Sequence, residues 1–517
     1  MSYIQGFNRK QAVLIPETIE QLIAENNPVR FIDAFVNSQD VVALGFKDIR
    51  FNKNGRPPFH PKDLLKLYIY GYLNKIRSSR ALEKECIRNV ELMWLIKGLV
   101  PDHNTISNFR RDNPKSIKKV FRATVNIAKN LDLIGGVLLA GDGTKLRAQN
   151  SKKNNYNQKK IDRHIAYIET KLAQYCNALE TADGDKKKVI ETKIAKQNKH
   201  KKQYQAIEKQ LKQTGEKQFS SSDPEARQLV IRGVVTEVCY NVQSTVDHKH
   251  KIPIDYDLTN NNDKHAMTSM VENAIEIVGN NTFDAVFDKG YYTAEQIHKS
   301  QKTWKLTTHV LCSITLLLML PDKAYKLVKF IYNKAQDTYC CPAGETLKTN
   351  GNWYNKRVYR VKQYKTKNCK LCPVKNDCTK AKYQRIIERH EFAEALDINK
   401  NNISKNPEIY AQRQAIVEHP FGTMKRQWGF DHIMTKKTKE RASADVGFIF
   451  IAYNLKRIMN SIGIDRLIKH IILFWLEIGI KKRLNKLLKS FEHLKKLTVY
   501  FIENASPKST TKQIAYF

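Results

Sequence analysis

Apolar positions recur at helical steps through residues 1–130, with few alternating runs among them. Pro61 opens the run KDLLKLYIYGYLNKI, and Ser78 and Ser79 ahead of ALEKECIRN predict the cap of a following helix. Residues 90–99 predict another helix, and after Pro101 the segment HNTISNFRRDN predicts a short polar one. The pattern changes at residues 137–140, an apolar run followed by Gly141, Asp142 and Gly143, which predicts a buried strand entering a tight turn. Between 159 and 212, Ile161, Ile165, Ile168, Leu172 and Leu179 keep helical steps. Residues 182–185 break them, and Val189, Ile190, Ile194, Ile207 and Leu211 resume them, the pattern of an αα-hairpin. A loop at 220–228 leads to two alternating runs, 237–246 and 252–259, which predict a hairpin of strands. A helix over 265–278 then precedes a strand over 283–287, closed by Asp288. Residues 307–320 are unusually apolar, as a buried strand or a locally altered segment. Near the end, KKTKERASADVGFIFIAYNLKRIM predicts an amphipathic helix that gives Phe448, Ile451, Tyr453 and Leu455 to a core, and the tail from Leu467 reads as helical and lysine-rich.

The 517 residues have room for roughly two to four domains. Against 51 Asp+Glu stand 89 Lys+Arg, a net charge of +38 that points to a polyanionic partner, nucleic acid first. Lysine enrichment without spatial organisation is the plainer alternative. The polar start MSYIQGFNRKQ carries no export signal, and the apolar runs at 310–320 and 471–480 fall short of the about 20 residues a bilayer span needs. A soluble, cytoplasmic protein without a membrane partner is the expectation. Nine cysteines in so long a chain argue against a disulfide framework, but five of them cluster: Cys340, Cys341, the pair Cys369 and Cys372 at C-x2-C spacing, and Cys378. Cys341, Cys369, Cys372 and Cys378 outline a tetrahedral thiolate site for one structural Zn2+, with free thiols as the alternative.

Three carboxylates stand in unusual places. Glu418 lies in YAQRQAIVEHPFGTMKRQW, a helical stretch with no acidic neighbour closer than Glu408, Arg413 behind it and Lys425 and Arg426 ahead. A solvated helix face mixes signs at i,i+4 spacing; a lone Glu among cations fits a site whose missing partners are a divalent ion and phosphates. The seven-residue step to Lys425 would return to the same helix face, although Pro420 interrupts. Asp142 and Asp288 each close an apolar strand, and ligand sites in open α/β sheets gather beyond the carboxyl ends of strands. Two strand-end aspartates and a helical glutamate in a basic chain suggest a two-metal phosphodiester site.

In this order, GDGTKLRAQNSKKNN, FDKGYYTAEQI and YAQRQAIVEHPFGTMKRQWGF resemble the DDE transposases of bacterial insertion sequences, in the branch marked by a Tyr-Arg-Glu-Lys signature. The resemblance covers most of the chain, to about Ile462. It implies an α/β fold: a ribonuclease H-like catalytic domain over 131–465, interrupted by a helical hairpin at 159–213 and a Cys-rich insertion at 335–385. Asn104, Thr105, Ser107, Asn108, Arg110 and Arg111 have the composition of a recognition helix, with a plain basic helical bundle as the alternative; the resemblance implies that residues 1–130 form a helical DNA-binding domain, while the basic helical tail over 466–517 is read from the residues alone. Asp142, Asp288 and Glu418 would be catalytic and hold two Mg2+ or Mn2+ ions. Tyr410, Arg413, Lys425 and Arg426 would contact phosphates, and Trp428 could stack an unpaired base. The step from Arg413 to Glu418 is one residue longer than in the family, so that Gln414 falls where the family arginine would. The implied partners are double-stranded DNA, as element ends and target, and a second copy of the chain, in a bacterial nucleoid. A ribonuclease H-like nuclease or resolvase without strand transfer, and a non-catalytic DNA-binding derivative, are the alternatives.

Overall fold

The computed structural model describes residues 18–46, 57–231, 235–312, 325–471 and 473. The apolar run beyond Val310 and almost all of the lysine-rich tail lie outside them. The chain divides into two compact units, one formed by residues 1–106 with 458–517 and the other by 107–457.

The described part of the first unit includes α1 (Pro28–Asn37), α2 (Pro61–Leu73), α3 (Ser79–Arg88) and α4 (Val90–Leu95). Proline at the first position and a side-chain acceptor before it start α1 and α2, from Asn27 and His60. Ser78 occupies the N-cap of α3 as the sequence suggests, but its side chain makes no cap hydrogen bond. Glu91 locks three helices together by accepting from Asn27 Nδ2 at 2.8 Å and from the Tyr70 hydroxyl at 2.6 Å.

The second unit begins within α5 (His103–Asp112) and continues through α6 (Pro114–Asn130), whose buried Ile117, Val120, Phe121, Thr124, Val125 and Ala128 form one stripe. Its main sheet contains β1 (Leu138–Arg147), β4 (Arg227–Ile231), β5 (Val235–Asp247), β6 (Pro253–Thr259), β7 (Asp284–Phe287) and β8 (Thr307–Val310). The order is β4-β5-β1-β7-β8, with β6 also on β5. β1 runs antiparallel to β5 and parallel to β7, and β7 parallel to β8. Helices α9 (Met267–Val278) and α10 (Ala294–Trp304) make the crossovers between strands.

A two-strand clasp, β2 (Asn155–Tyr156) and β3 (Phe219–Ser220), roots the long helices α7 (Gln158–Glu180) and α8 (Gly184–Thr214). Only Ile161, Ile168 and Leu211 of this pair are buried; Val189, placed on the apolar stripe by its spacing, is exposed. A second, antiparallel sheet follows, of β9 (Ile331–Asn333), β10 (Thr338–Cys340), β11 (Thr346–Asn355), β12 (Arg360–Lys365) and β13 (Ile387–His390). Phe330, Tyr339, Leu347, Tyr364 and Ile387 form its small core, and the one-turn helix α11 (Lys375–Cys378) lies in the loop before β13. Helices α12 (Ala393–Lys405), α13 (Pro407–Gly422) and α14 (Lys439–Ile462) follow.

Candidate active site

Register brings the two aspartates together. The parallel ladder of β1 and β7 ends at the pair Gly141 and Phe287, so Asp142 and Asp288 are the next residues on adjacent strands. The tight turn expected at Gly141 to Gly143 does not form: β1 continues through Asp142, paired with Ser244, as far as Arg147, paired with Cys239. The glycines serve close approach instead of a turn. A Cβ on Gly141 would lie 2.1 Å from the Phe287 ring, and one on Gly143 would lie 2.4 Å from Asp263 Oδ1.

Helix α13 covers this end of the sheet. Ile416 and Val417 pack on Leu138, Ala140, Val246 and Val286. Arg413 lies three and four residues before them, hence on the same face, and is directed at the aspartates. Its Nη1 stands 3.3 Å from Asp142 Oδ2 and its Nη2 3.7 Å from Asp288 Oδ1. Tyr410, one turn earlier, packs against the same cluster and senses the charges of Arg413 and Asp288. Burial pushes the Asp142 carboxyl up to about 6, against the opposing pull of Arg413 and of the Gly143 N–H, which donates to Asp142 Oδ1 at 2.8 Å.

Glu418 does not share that inward face. It is exposed and accepts from Gln414 Nε2 at 2.9 Å. Among the described residues no three His, Cys, Asp or Glu side chains are arranged to hold a metal ion, so Asp142, Asp288 and Glu418 do not stand as a closed ligand set. Nor does the even helical period run on to Lys425. After the buried Pro420, α13 passes into a π-helical turn, Thr423–Gln427, which changes the number of residues per turn. Lys425 Nζ donates instead to Thr144 Oγ1 and to the Lys145 carbonyl, each at 3.0 Å, at the edge of β1. Arg426 is exposed, and Trp428 is half-buried with its ring edge-on to Phe430 at 5.6 Å.

Sequence reasoning missed a polar group beside the aspartates. Asp263 Oδ1 accepts from Asn241 Nδ2 at 2.7 Å and Gln243 Nε2 at 2.8 Å, and the buried Tyr291 hydroxyl donates to Gln243 Oε1. Asp263 is near enough for its charge to raise the Asp142 carboxyl further. The available signals were the polar residues Asn241 and Gln243 among the apolar positions of β5, and Tyr291 in the run following Asp288.

The residues expected on a recognition helix differ in exposure. On α5, Asn104, Ser107, Asn108 and Arg111 are exposed and Thr105 half-buried, but Arg110 is buried, its Nη1 3.2 Å from Asp445 Oδ1 of α14. The four cysteines of the thiolate outline, Cys341, Cys369, Cys372 and Cys378, line one cavity beside the second sheet. None of the nine cysteines forms a disulfide, and no helix among the described residues is long and apolar enough to cross a membrane.

A family described as "Transposase domain (DUF772)" matches residues 17–112, and one described as "Transposase DDE domain" matches residues 340–459, the stretch that contains Arg413, Glu418 and Lys425. No curated protein matches the chain. A solved piggyBac transposase synaptic complex with hairpin DNA matches at 11% identity over 95% of this chain and 87% of that one, with a TM-score of 0.32, too loose a likeness to bear on the fold. A transposase domain is thus matched toward each end of the chain, the second of them a DDE domain, and together they support a DDE transposase of an insertion sequence.

Proposed function

We propose that this DNA transposase cuts element ends and joins them to target DNA at the end of the main sheet where Asp142 and Asp288 lie side by side. That adjacency is the observation that carries the reading. The strand order β6-β5-β1-β7-β8, with the first three antiparallel and the last three parallel, supports a ribonuclease H-like catalytic core. Two Mg2+ or Mn2+ ions fit the site by its chemistry: the paired carboxylates are hard oxygen donors, and Arg413, which now contacts both, offsets only part of their charge. Asp142 and Asp288 would hold them, with Glu418 as the third ligand once its side chain leaves Gln414. Bound there, the ions would activate water or a 3′-hydroxyl and stabilise the leaving oxygen.

The chain's own groups prepare that chemistry. Arg413 contacts both carboxylates in the resting protein and presents a planar donor fork suited to a phosphate oxygen. Lys425 is fixed on β1 only two and three residues beyond Asp142, within the strand that would run beneath a scissile phosphate. Arg426, Tyr410 and Trp428 would extend the contact along the DNA. The exposed face of α5 supports double-stranded DNA recognition through Asn104, Ser107, Asn108 and Arg111, while Arg110 serves structure through Asp445. Transposition handles two ends together, which calls for at least two copies on DNA.

The test is incubation of a labelled duplex carrying the ends of the encoding element with Mg2+ or Mn2+, comparing the chain with Asp288→Ala. Cleavage followed by 3′-hydroxyl strand transfer, absent from Asp288→Ala, is the expected result. Cleavage without joined product would identify a nuclease, and equal cleavage by the variant would remove Asp288 from the site.

A further inference from the structure

Residues 365–386 contain no buried side chain, yet they fold into a defined turn, a one-turn helix and a return to β13. A segment with no fully buried side chain offsets little of its conformational entropy by apolar packing and gains from another restraint. Leu371 is 92% exposed. What the segment does direct inward is sulfur. Cys369 and Cys372 from the turn and Cys378 from α11 line the same cavity as Cys341, which follows β10 on the second sheet. Cys341 and Cys378 rest against that sheet's aromatic core, and the charge of each of the other three sulfurs is felt at Cys378.

We propose that Cys341, Cys369, Cys372 and Cys378 bind one structural Zn2+ that fastens the 365–386 segment to the second sheet. Four thiols from three chain segments, in a C-x2-C turn with two flanking partners, match the donor set that zinc takes tetrahedrally. Hydrogen-bond donors and cations stand beside the sulfurs. The Glu345 N–H donates to Cys341 Sγ at 3.3 Å, and Arg385, whose Nη1 donates to the Cys378 carbonyl, adds positive charge beside Cys378. Lys375 also lines the cavity. On binding, each sulfur loses its proton to solvent, and the resulting dianionic centre sits among these cations. The four sulfurs line the cavity without yet closing around a point, so the ion draws them inward by side-chain rotation. Cys340 is excluded: it is exposed and its thiol points to the Cys341 carbonyl at 3.6 Å.

Zinc measured by mass spectrometry on the dialysed full-length chain, made in zinc-supplied cells, should amount to one ion per chain. Cys372→Ser and Cys369→Ser should lose it, and Cys340→Ser and Cys176→Ser should keep it. Because the first two variants could fail to fold, the unmodified chain is also loaded with Co2+, which should give the intense charge-transfer absorption of a tetrahedral thiolate site. Zinc far below one per chain, zinc unchanged in Cys372→Ser, or cobalt spectra without thiolate bands would each overturn the proposal. None of these readouts depends on DNA cleavage.

Discussion

At the scale of single residues, the site depends on what stands next to Asp142. Its carboxylate lies between Arg413 and the Asp263 network, so neither a tight turn nor an open loop sets its direction. Replacing Asp263 with Asn removes one negative charge and the acceptor that receives both Asn241 and Gln243. Cleavage should fall about 10- to 100-fold, as when groups behind metal ligands are lost, with the thermal transition little changed. A cleavage rate titrated against Mg2+ checks this, and an unchanged rate would leave Asp263 without a role in the chemistry. Gly143→Ala should cost about 1–3 kcal/mol by overpacking, read from urea unfolding, because its Cβ would press on Asp263. Asp142 and Asp288 were legible because apolar runs end on them. Asp263 was not, since its meaning comes from side chains on β5 that only the folded sheet places beside it. The two glycines were visible too, but local sequence cannot tell a turn glycine from one that yields to a ring on the neighbouring strand.

At the scale of elements, α13 explains why Arg413 rather than Glu418 meets the aspartates. Ile416 and Val417 fix which face is buried, and the inward direction at three and four residues upstream belongs to Arg413. The sequence carried that periodicity, but the lone charge of Glu418 was the louder signal, and the π turn after Pro420 was not legible at all. Helix α14 is held to α5 by the buried pair of Arg110 and Asp445, whose second oxygen accepts the Met434 N–H at 2.8 Å. Asp445→Ala leaves a buried guanidinium without its carboxylate and should cost about 3–5 kcal/mol in urea unfolding. In the second sheet, hydrogen bonds from the Tyr364 hydroxyl, from Lys362 and from the Tyr332 hydroxyl hold the Asp337 carboxyl down to about 2 despite some opposing burial. A depressed carboxyl stabilises fully above its unfolded value, about 3.9, and that contribution fades as pH falls towards 2. The stability difference between the chain and Asp337→Asn should therefore be constant above about pH 5 and shrink between about pH 4 and pH 2 in acid unfolding; a difference that persists to pH 2 would contradict it.

At the scale of the whole molecule, a net charge of +38 and a pair of aspartates answer different needs. Spread cations supply affinity for a polyanion, which falls steeply with salt, while the carboxylates supply the chemistry. Composition made the first legible and the order of three motifs the second. Neither reveals which DNA sequence the proposed α5 contact would select, because that depends on which of its polar residues reach base edges. The two functions should separate experimentally. The most direct measurement is metal-dependent nicking of an end-bearing duplex by the chain, by Asp142→Asn and by Asp288→Asn, with DNA affinity followed in parallel at two salt concentrations. Nicking should require Mg2+ or Mn2+ and disappear in both variants, while all three proteins bind DNA with the same salt-sensitive affinity. Nicking that survives in either variant would contradict the placement of the active site at the paired ends of β1 and β7.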